Sequence, residues 1–531
     1  MLVTPGRFAA GVGMAILPLY LVATILIGWL SRRRVSTSSD FLNATGSQPF
    51  LLASAAFISA NCGALEIIGL SAVAAQYGVQ GFHFYWIGAI PAMVFLSAVM
   101  MPMYMRCGAR SLPEYLELRF GPRLRFINAW LLLITVTAVS GISVYAMAQV
   151  LHAVFAWPFS VGACLAAMVV LIYVLLGGLR ATIYNEVLQL LFIAGGLIPL
   201  AMTVHPPAHR MASPLDSHWH LWTSLPAFSA SAPLDRFGVI FGLGCVLSIN
   251  YWCTDFIQVQ RALTVRTIHA GRMVPLAAGV GKLGFSFLVI LPSLGAAAFL
   301  GPRMPTAYDQ TLPTLMATVY PPILLGLGLT ALLASLMSGL AANISAFASL
   351  WTEEIYRTSL RPGASEAHYM RMGRVAISAA IVLSIVTSYL SFCFHDLMEF
   401  VQMVFALFGA PFLSVLLMGF FTRRATEAGV TTGLACGFLS AALFHLLAIT
   451  HLLHYSSKMS VNFHSAACAF VVSLIVGLLC SRSKDRRVDL QSRHLTYTAS
   501  QIGSLLPTAP LWWLLASALL AACIALNIYW Q

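Results

Sequence analysis

Charge is what this chain has least of. Asp, Glu, Lys and Arg together make up 9% of the 531 residues, against about 25% in soluble globular domains, which excludes an ordinary water-soluble fold. No phosphate-binding Gly-rich loop ending in Gly-Lys-Ser/Thr is present, so uphill work driven directly by a nucleotide is excluded and an ion gradient is left as the energy source. None of the ten cysteines forms a Cys-x-x-Cys pair. Most of them (Cys62, Cys164, Cys245, Cys253, Cys436, Cys468, Cys523) lie in apolar runs, where they read as small buried hydrophobes rather than bridges or ligands. No nucleophile–base or metal-spacing constellation stands out, which argues against a membrane enzyme. The stretch 205–235 holds His205, His209, His218 and His220; it reads as a solvated loop, with metal binding as the alternative.

Apolar residues fill the space that charge leaves, at 59% of the chain. A helical span needs about 20 of them, and fourteen segments qualify, from residues 10–30 to 509–530. The first is too long for a signal-peptide core and has no clear cleavage site, so it counts as a span. The formal charge of +12 invites a nucleic-acid reading, but its placement argues for a membrane. Alternate loops, beginning with Arg32–Arg34, carry 23 of the 29 basic residues, and the opposite loops hold only Arg7, Arg210, Arg236, Arg303 and Lys458. The positive-inside rule then places both termini outside and the basic rim in the cytoplasm. The one remaining cation, Lys282, lies inside a span.

The segment Ala331–Tyr356 is of membrane length yet rich in Ser, Gly and Ala. Lipid-facing helices have no need of such residues, whereas helices packed closely around a small cation do. Two spans are interrupted by glycine and polar residues: one at Ser59-Ala-Asn-Cys-Gly63, the other where Gly238, Gly242 and Gly244 precede Ser248-Ile-Asn-Tyr-Trp-Cys-Thr-Asp255. Breaks at corresponding places of two halves point to a transporter site at the bilayer midplane, since irregular backbone at that depth must line a cavity. The expected fold is an all-α integral membrane protein of about fourteen helices around a five-plus-five inverted repeat. Its parts are a first span and basic loop (1–50), a first repeat (51–204), an outer loop (205–236), a second repeat (237–425) and three added spans (426–531).

Four ionisable groups fall in or at the edge of spans: Glu66, Glu186, Asp255 and Lys282. Each is a functional candidate because burying it in a bilayer is costly unless it is paired or hydrated. For Asp255 and Glu186, near the cytoplasmic ends, a salt bridge to Arg261 or Arg180 competes with a coupling role. Glu66 and Lys282 lie deeper. A carboxylate and an ammonium facing one cavity would neutralise each other and offer acceptors and donors to a polyol. Tyr251-Trp252 beside a break suggests a platform for a sugar ring, although aromatics also anchor and pack spans. Gln402, after the acidic edge His395–Glu399, is an amide in an apolar run and reads either as a site residue or as a helix–helix contact.

Tyr251-Trp-Cys-Thr-Asp-Phe-Ile-Gln-Val-Gln-Arg261 with the following Lys282, Gly177-Gly-Leu-Arg-Ala-Thr-Ile-Tyr-Asn-Glu-Val-Leu-Gln189, and Val401-Gln-Met-Val-Phe-Ala-Leu-Phe-Gly-Ala-Pro411 together resemble the sodium/glucose branch of the solute:sodium symporter family. The likeness runs over roughly residues 10–425. It implies that Asn61, Tyr251, Trp252, Lys282 and Gln402 stand at sugar-contacting positions, with Tyr251 as an inner gate. Two positions depart: Glu66 stands where the family has His or Gln, and Tyr85 where it has Glu. The resemblance also implies a sodium site made of backbone carbonyls at Ser59, Cys62 and Ser335 and two adjacent hydroxyls. Here these are Ser338 and Gly339, so one hydroxyl is missing; either water or a neighbouring Ser or Asn such as Asn343 fills the gap, or sodium binds weakly, or protons replace it. Glu186 stands where the family has an Asp linked to sodium coupling.

The expectation is therefore a cation-coupled symporter of a sugar or sugar-like polyol in a bacterial inner membrane, with sodium as the ion and protons as the alternative. An organic anion, vitamin or amino acid is the alternative substrate, and a solute sensor that binds without transport is the alternative class.

Overall fold

The computed structural model describes residues 13–33, 37–42, 48–109, 111–204, 217–223, 225–393, 396–481, 494–497, 503 and 505–531. His205, His209, His395 and the basic run 482–493 lie outside them. The described residues form helices and connecting turns, with no strand. In lipid this is required, because a helix satisfies every backbone N–H and C=O within its own segment.

In chain order the long helices are α1 (Gly13–Arg32), α2 (Phe50–Asn61), α3 (Leu65–Phe82), α4 (Phe84–Cys107), α5 (Pro122–His152) and α6 (Phe159–Thr203). They continue with α7 (Gly238–Thr254), α8 (Phe256–Ala262), α9 (Ile268–Arg303), α10 (Pro322–Leu360), α11 (Glu366–Phe392) and α12 (Leu397–Phe421). The last three are α13 (Glu427–Ile449), α14 (Lys458–Cys480) and α15 (Pro510–Tyr529). Among the described residues eleven helices are long and apolar enough to cross a membrane, and the pairs α2–α3 and α7–α8, each bent by 56°, qualify when joined. α1, α13 and α15 expose Leu19, Leu439, Ile449, Leu514 and Ile528, as a lipid-facing surface does. By contrast, every residue of α10 from Gly328 to Ser349 is buried.

Compactness divides the chain into two units. The first comprises Met1–Gly81, Val136–Trp219 and Gly284–Met398; the second comprises Phe82–Thr135, His220–Leu283 and Glu399–Gln531.

In the first unit, small residues set the packing. A Cβ on Gly196 of α6 would stand 2.3 Å from that of Ala331 on α10, so the two helices meet at backbone distance. At Gly178 the backbone of α6 turns into the left-handed region (φ 57°, ψ −148°), and a Cβ there would lie 2.3 Å from the Phe41 carbonyl oxygen. Only glycine fits.

In the second unit, three arginines expected on the basic rim are buried against backbone. Arg119 donates to the carbonyls of Gly419 (3.1 Å) and Thr422 (2.8 Å) at the end of α12, completing acceptors that the helix leaves open. Arg261 is directed at the Gln260 side chain and the Ile257 carbonyl. Arg272 donates to the Leu505 carbonyl. These charges hold the fold together.

Candidate functional site

The first break lies where the sequence places it. α2 ends at Asn61, Cys62 takes φ −73° and ψ 47°, and α3 starts at Leu65. Two carbonyls at this end meet hydroxyls of α10: Ser338 Oγ donates to Ser59 O at 3.0 Å and Ser335 Oγ to Cys62 O at 2.6 Å. Ser59 Oγ lies 3.2 Å from Ser338 Oγ, and the Ser335 carbonyl oxygen is 3.9 Å from where a Cβ on Gly63 would stand. Ser59, Cys62, Ser335 and Ser338 are thus brought together, all buried. The result is a compact, oxygen-only cluster suited to a hard cation.

Gly339 has a steric origin that sequence reasoning missed. A Cβ on Gly339 would stand 3.2 Å from Gly63 Cα, and a Cβ on Gly63 the same distance from Gly339 Cα. The absent hydroxyl accompanies a close approach of two backbones. Asn343, expected as a substitute ligand, turns its amide nitrogen to the Gly339 carbonyl at 2.7 Å.

Glu186 is fully buried on α6. Residues on the same stretch tie α6 to α1 and α10: Thr182 Oγ1 is 3.0 Å from Ser345 Oγ, Asn185 donates to Thr24 O at 3.2 Å, and Gln189 donates to Tyr20 Oη at 3.1 Å. Thr182, Glu186 and Gln189 follow an i, i+4, i+7 spacing and share a helix face, a signal present in the sequence. Arg180, the partner expected for Glu186, has Nη2 3.9 Å from Asp40.

The second break differs from expectation. Gly238–Ser248 is a wide, π-helical run and Ile249–Thr254 remains helical, so the chain bends only at Asp255. There ψ opens to 128°, and the carboxylate accepts from the N–H groups of Ile257 (3.0 Å) and Gln258 (3.2 Å). Asp255 is an N-cap, which accounts for it without a coupling role.

Just before this bend the second unit gathers an aromatic cluster. The Tyr251 ring lies 5.2 Å from Trp252, edge-on at 83°, and 5.5 Å from Phe405 of α12. Lys282 on α9, fully buried, holds Nζ 5.8 Å from the Trp252 ring, within cation–π reach. Gln258 Nε2 donates to Tyr251 Oη at 3.4 Å. Phe405 was not foreseen. The structure joins Tyr251, Trp252 and Lys282; it buries Tyr85 on α4 and Gln402 on α12 in the same unit. Asn61 and Glu66 flank the first break, in the first unit.

A second polar group in this unit was also missed. Asp235, fully buried before α7, accepts from Gly238 N–H at 3.1 Å and Ser460 Oγ at 3.3 Å, with His464 Nε2 at 3.4 Å. Burial alone would raise its carboxyl, but the bonds from His464, Gly238 and Ser460 together hold it below the usual carboxylate range.

Comparison with known proteins places the family and the fold. The description of the Sodium:solute symporter family matches residues 41–437. The chain is 26% identical over 479 residues to sodium/glucose cotransporter 1 of Ovis aries, covering 82% of this chain and 71% of that protein. It is 26% identical to the sodium/mannose cotransporter SLC5A10 of Bos taurus (84% and 81% covered) and 24% identical to the sodium/glucose cotransporter of Vibrio parahaemolyticus (82% and 84%). In fold it is similar to a substrate-bound, outward-open Na+-coupled sialic acid symporter, with a TM-score of 0.77 at 18% identity over 90% of this chain and 100% of that one.

Proposed function

The chain belongs to the sodium:solute symporter family, and from that premise we propose that it couples sodium entry to the uptake of a sugar or sugar-like polyol by alternating access. One observation carries the reading: the Ser59 and Cys62 carbonyls at a helix break meet the Ser335 and Ser338 hydroxyls in a buried cluster of oxygens. Such a set favours a hard monovalent cation. The substrate side rests on Tyr251, Trp252 and Phe405 as apolar faces for ring C–H groups, with Lys282 as a donor to hydroxyls. Asn61, Glu66, Tyr85 and Gln402 enter as substrate contacts through the family resemblance. Glu66 and Tyr85, the two departures, are the specificity determinants.

Dividing α6 at Gly178 brings the spans to fourteen, counting the two bent pairs as one each. We place a five-plus-five repeat in 51–204 and 237–425 and both termini outside a bacterial inner membrane. Binding of ion and substrate is reciprocal: each favours the same outward-open arrangement, so each raises affinity for the other.

The test is uptake of a labelled sugar panel into proteoliposomes under an imposed sodium or proton gradient, one at a time. Sodium-driven accumulation of one sugar supports the proposal. Accumulation driven only by protons would move coupling to Glu186, a second reading favoured by its complete burial and the missing hydroxyl at position 339. Sugar binding without uptake would identify a sensor.

A further inference from the structure

We infer that the hydroxyl of Ser143, on α5, is a ligand of the co-transported cation and supplies the oxygen that position 339 lacks; this rests on the sodium-coupled reading above. A small hard cation takes about five or six oxygens, by analogy with other hard ions. The Ser59 and Cys62 carbonyls, the Ser338 hydroxyl and Ser335, whose carbonyl faces Gly63, leave the shell short. A Cβ at position 339 would stand 3.2 Å from Gly63 Cα, so a side chain there would need Gly63 to give by a few tenths of an ångström. An oxygen from another element would complete the shell.

Three observations select Ser143. Its Oγ is the side-chain atom nearest to the point where a Cβ on Gly339 would stand, at 3.6 Å. The residue is buried, 2% exposed, so the hydroxyl does not face bulk water. Its hydrogen is directed at the Val139 carbonyl of its own helix at 3.2 Å; the donor is used, and oxygen lone pairs are left to accept a cation. The amide nitrogen of Asn343 donates to the Gly339 carbonyl at 2.7 Å. The ion shell is thereby moved from two adjacent hydroxyls on α10 to one hydroxyl on α10 and one on α5. This ties ion occupancy to a third helix.

The experiment is the sodium-induced shift in melting temperature of the purified protein in detergent, titrated against potassium at constant ionic strength. Ser143→Val and Ser143→Thr have nearly the same shape and differ in one oxygen, so any packing cost is common to both. Ser143→Thr should keep the wild-type half-saturating sodium concentration, and Ser143→Val should raise it by about tenfold, as expected for one polar ligand. Adding Gly339→Ser to Ser143→Val should recover part of the loss. Equal half-saturation in the two variants would overturn the assignment. Ser338→Ala serves as reference: if it weakens sodium binding while the Ser143 pair stay equal, only this inference fails. If neither wild type nor Ser338→Ala responds to sodium, the sodium-coupled reading fails and takes the inference with it.

Discussion

The two buried clusters are chemically opposite. In the first unit, Ser59, Cys62, Ser335 and Ser338 present only oxygens, carried on short side chains and backbone. In the second, Tyr251, Trp252 and Phe405 present ring faces and edges, with one ammonium at Lys282. Each sits beside a helix bend, yet the bends are built differently. At Cys62–Gly63 glycine and small residues let backbones approach and leave carbonyls to accept. At Asp255 a carboxylate caps the next helix and consumes the freed N–H groups itself. One bend therefore gathers oxygens from two helices, whereas at the other a single carboxylate satisfies the N–H groups of the helix that follows it. A bend alone does not make an ion site; what matters is which groups from other helices meet at it.

If the two clusters hold different ligands, single substitutions should separate them. The largest effect is expected at Lys282. Lys282→Met removes a charged donor, worth about 1.5–3 kcal/mol, and should raise the substrate KM at least tenfold in sodium-driven uptake while the sodium-induced thermal shift is unchanged. Loss of both responses would merge the two sites. Next, Ser338→Ala should raise the half-saturating sodium concentration about tenfold, near the weight of one hydrogen-bonding group. At saturating sodium the substrate KM should return to the wild-type value, and a persistent KM change would contradict an ion-only role.

Asp255→Ala sharpens the contrast between the bends. It should cost about 0.5–2 kcal/mol of stability, as loss of an N-cap does, lowering the melting temperature without altering sodium half-saturation. The smallest effect concerns Asp235. Its carboxyl is depressed in the folded state, so its stabilisation is complete above the ordinary carboxylate value of 3.8 and is lost as pH falls through the lower folded value. Asp235→Asn should flatten the acid limb of a melting-temperature–pH profile below about pH 4; an unchanged limb would show that the pairing with His464 contributes nothing.

Much of this was legible in the chain. Apolar runs of membrane length and the Ser59–Gly63 interruption are local, and the first bend appears at the marked residues. The second bend was expected over Ser248–Asp255 but is confined to Asp255, because Ile249–Thr254 completes a helical turn and the cap alone stops it. Arg119, Arg261 and Arg272 read as membrane-side markers, and only packing showed that they also bind backbone carbonyls. Phe405 and the Asp235–His464 pair carried no local signal, since an apolar residue in a span and an aspartate in a loop are unremarkable until a distant partner arrives.

By itself the sequence determined the membrane class, most of the membrane-length helices and the first break. Those follow from transfer free energies and from backbone rules that act over a turn or two of helix. Tertiary structure decided which offers meet. Ser338 reaches Ser59 across 279 positions of chain, and the tight approach at Gly339 is set by the backbone of Gly63 rather than by any neighbour in sequence. Oxygens converge and side chains are excluded at the scale of an ångström, which is set by how helices pack and not by the order of their residues.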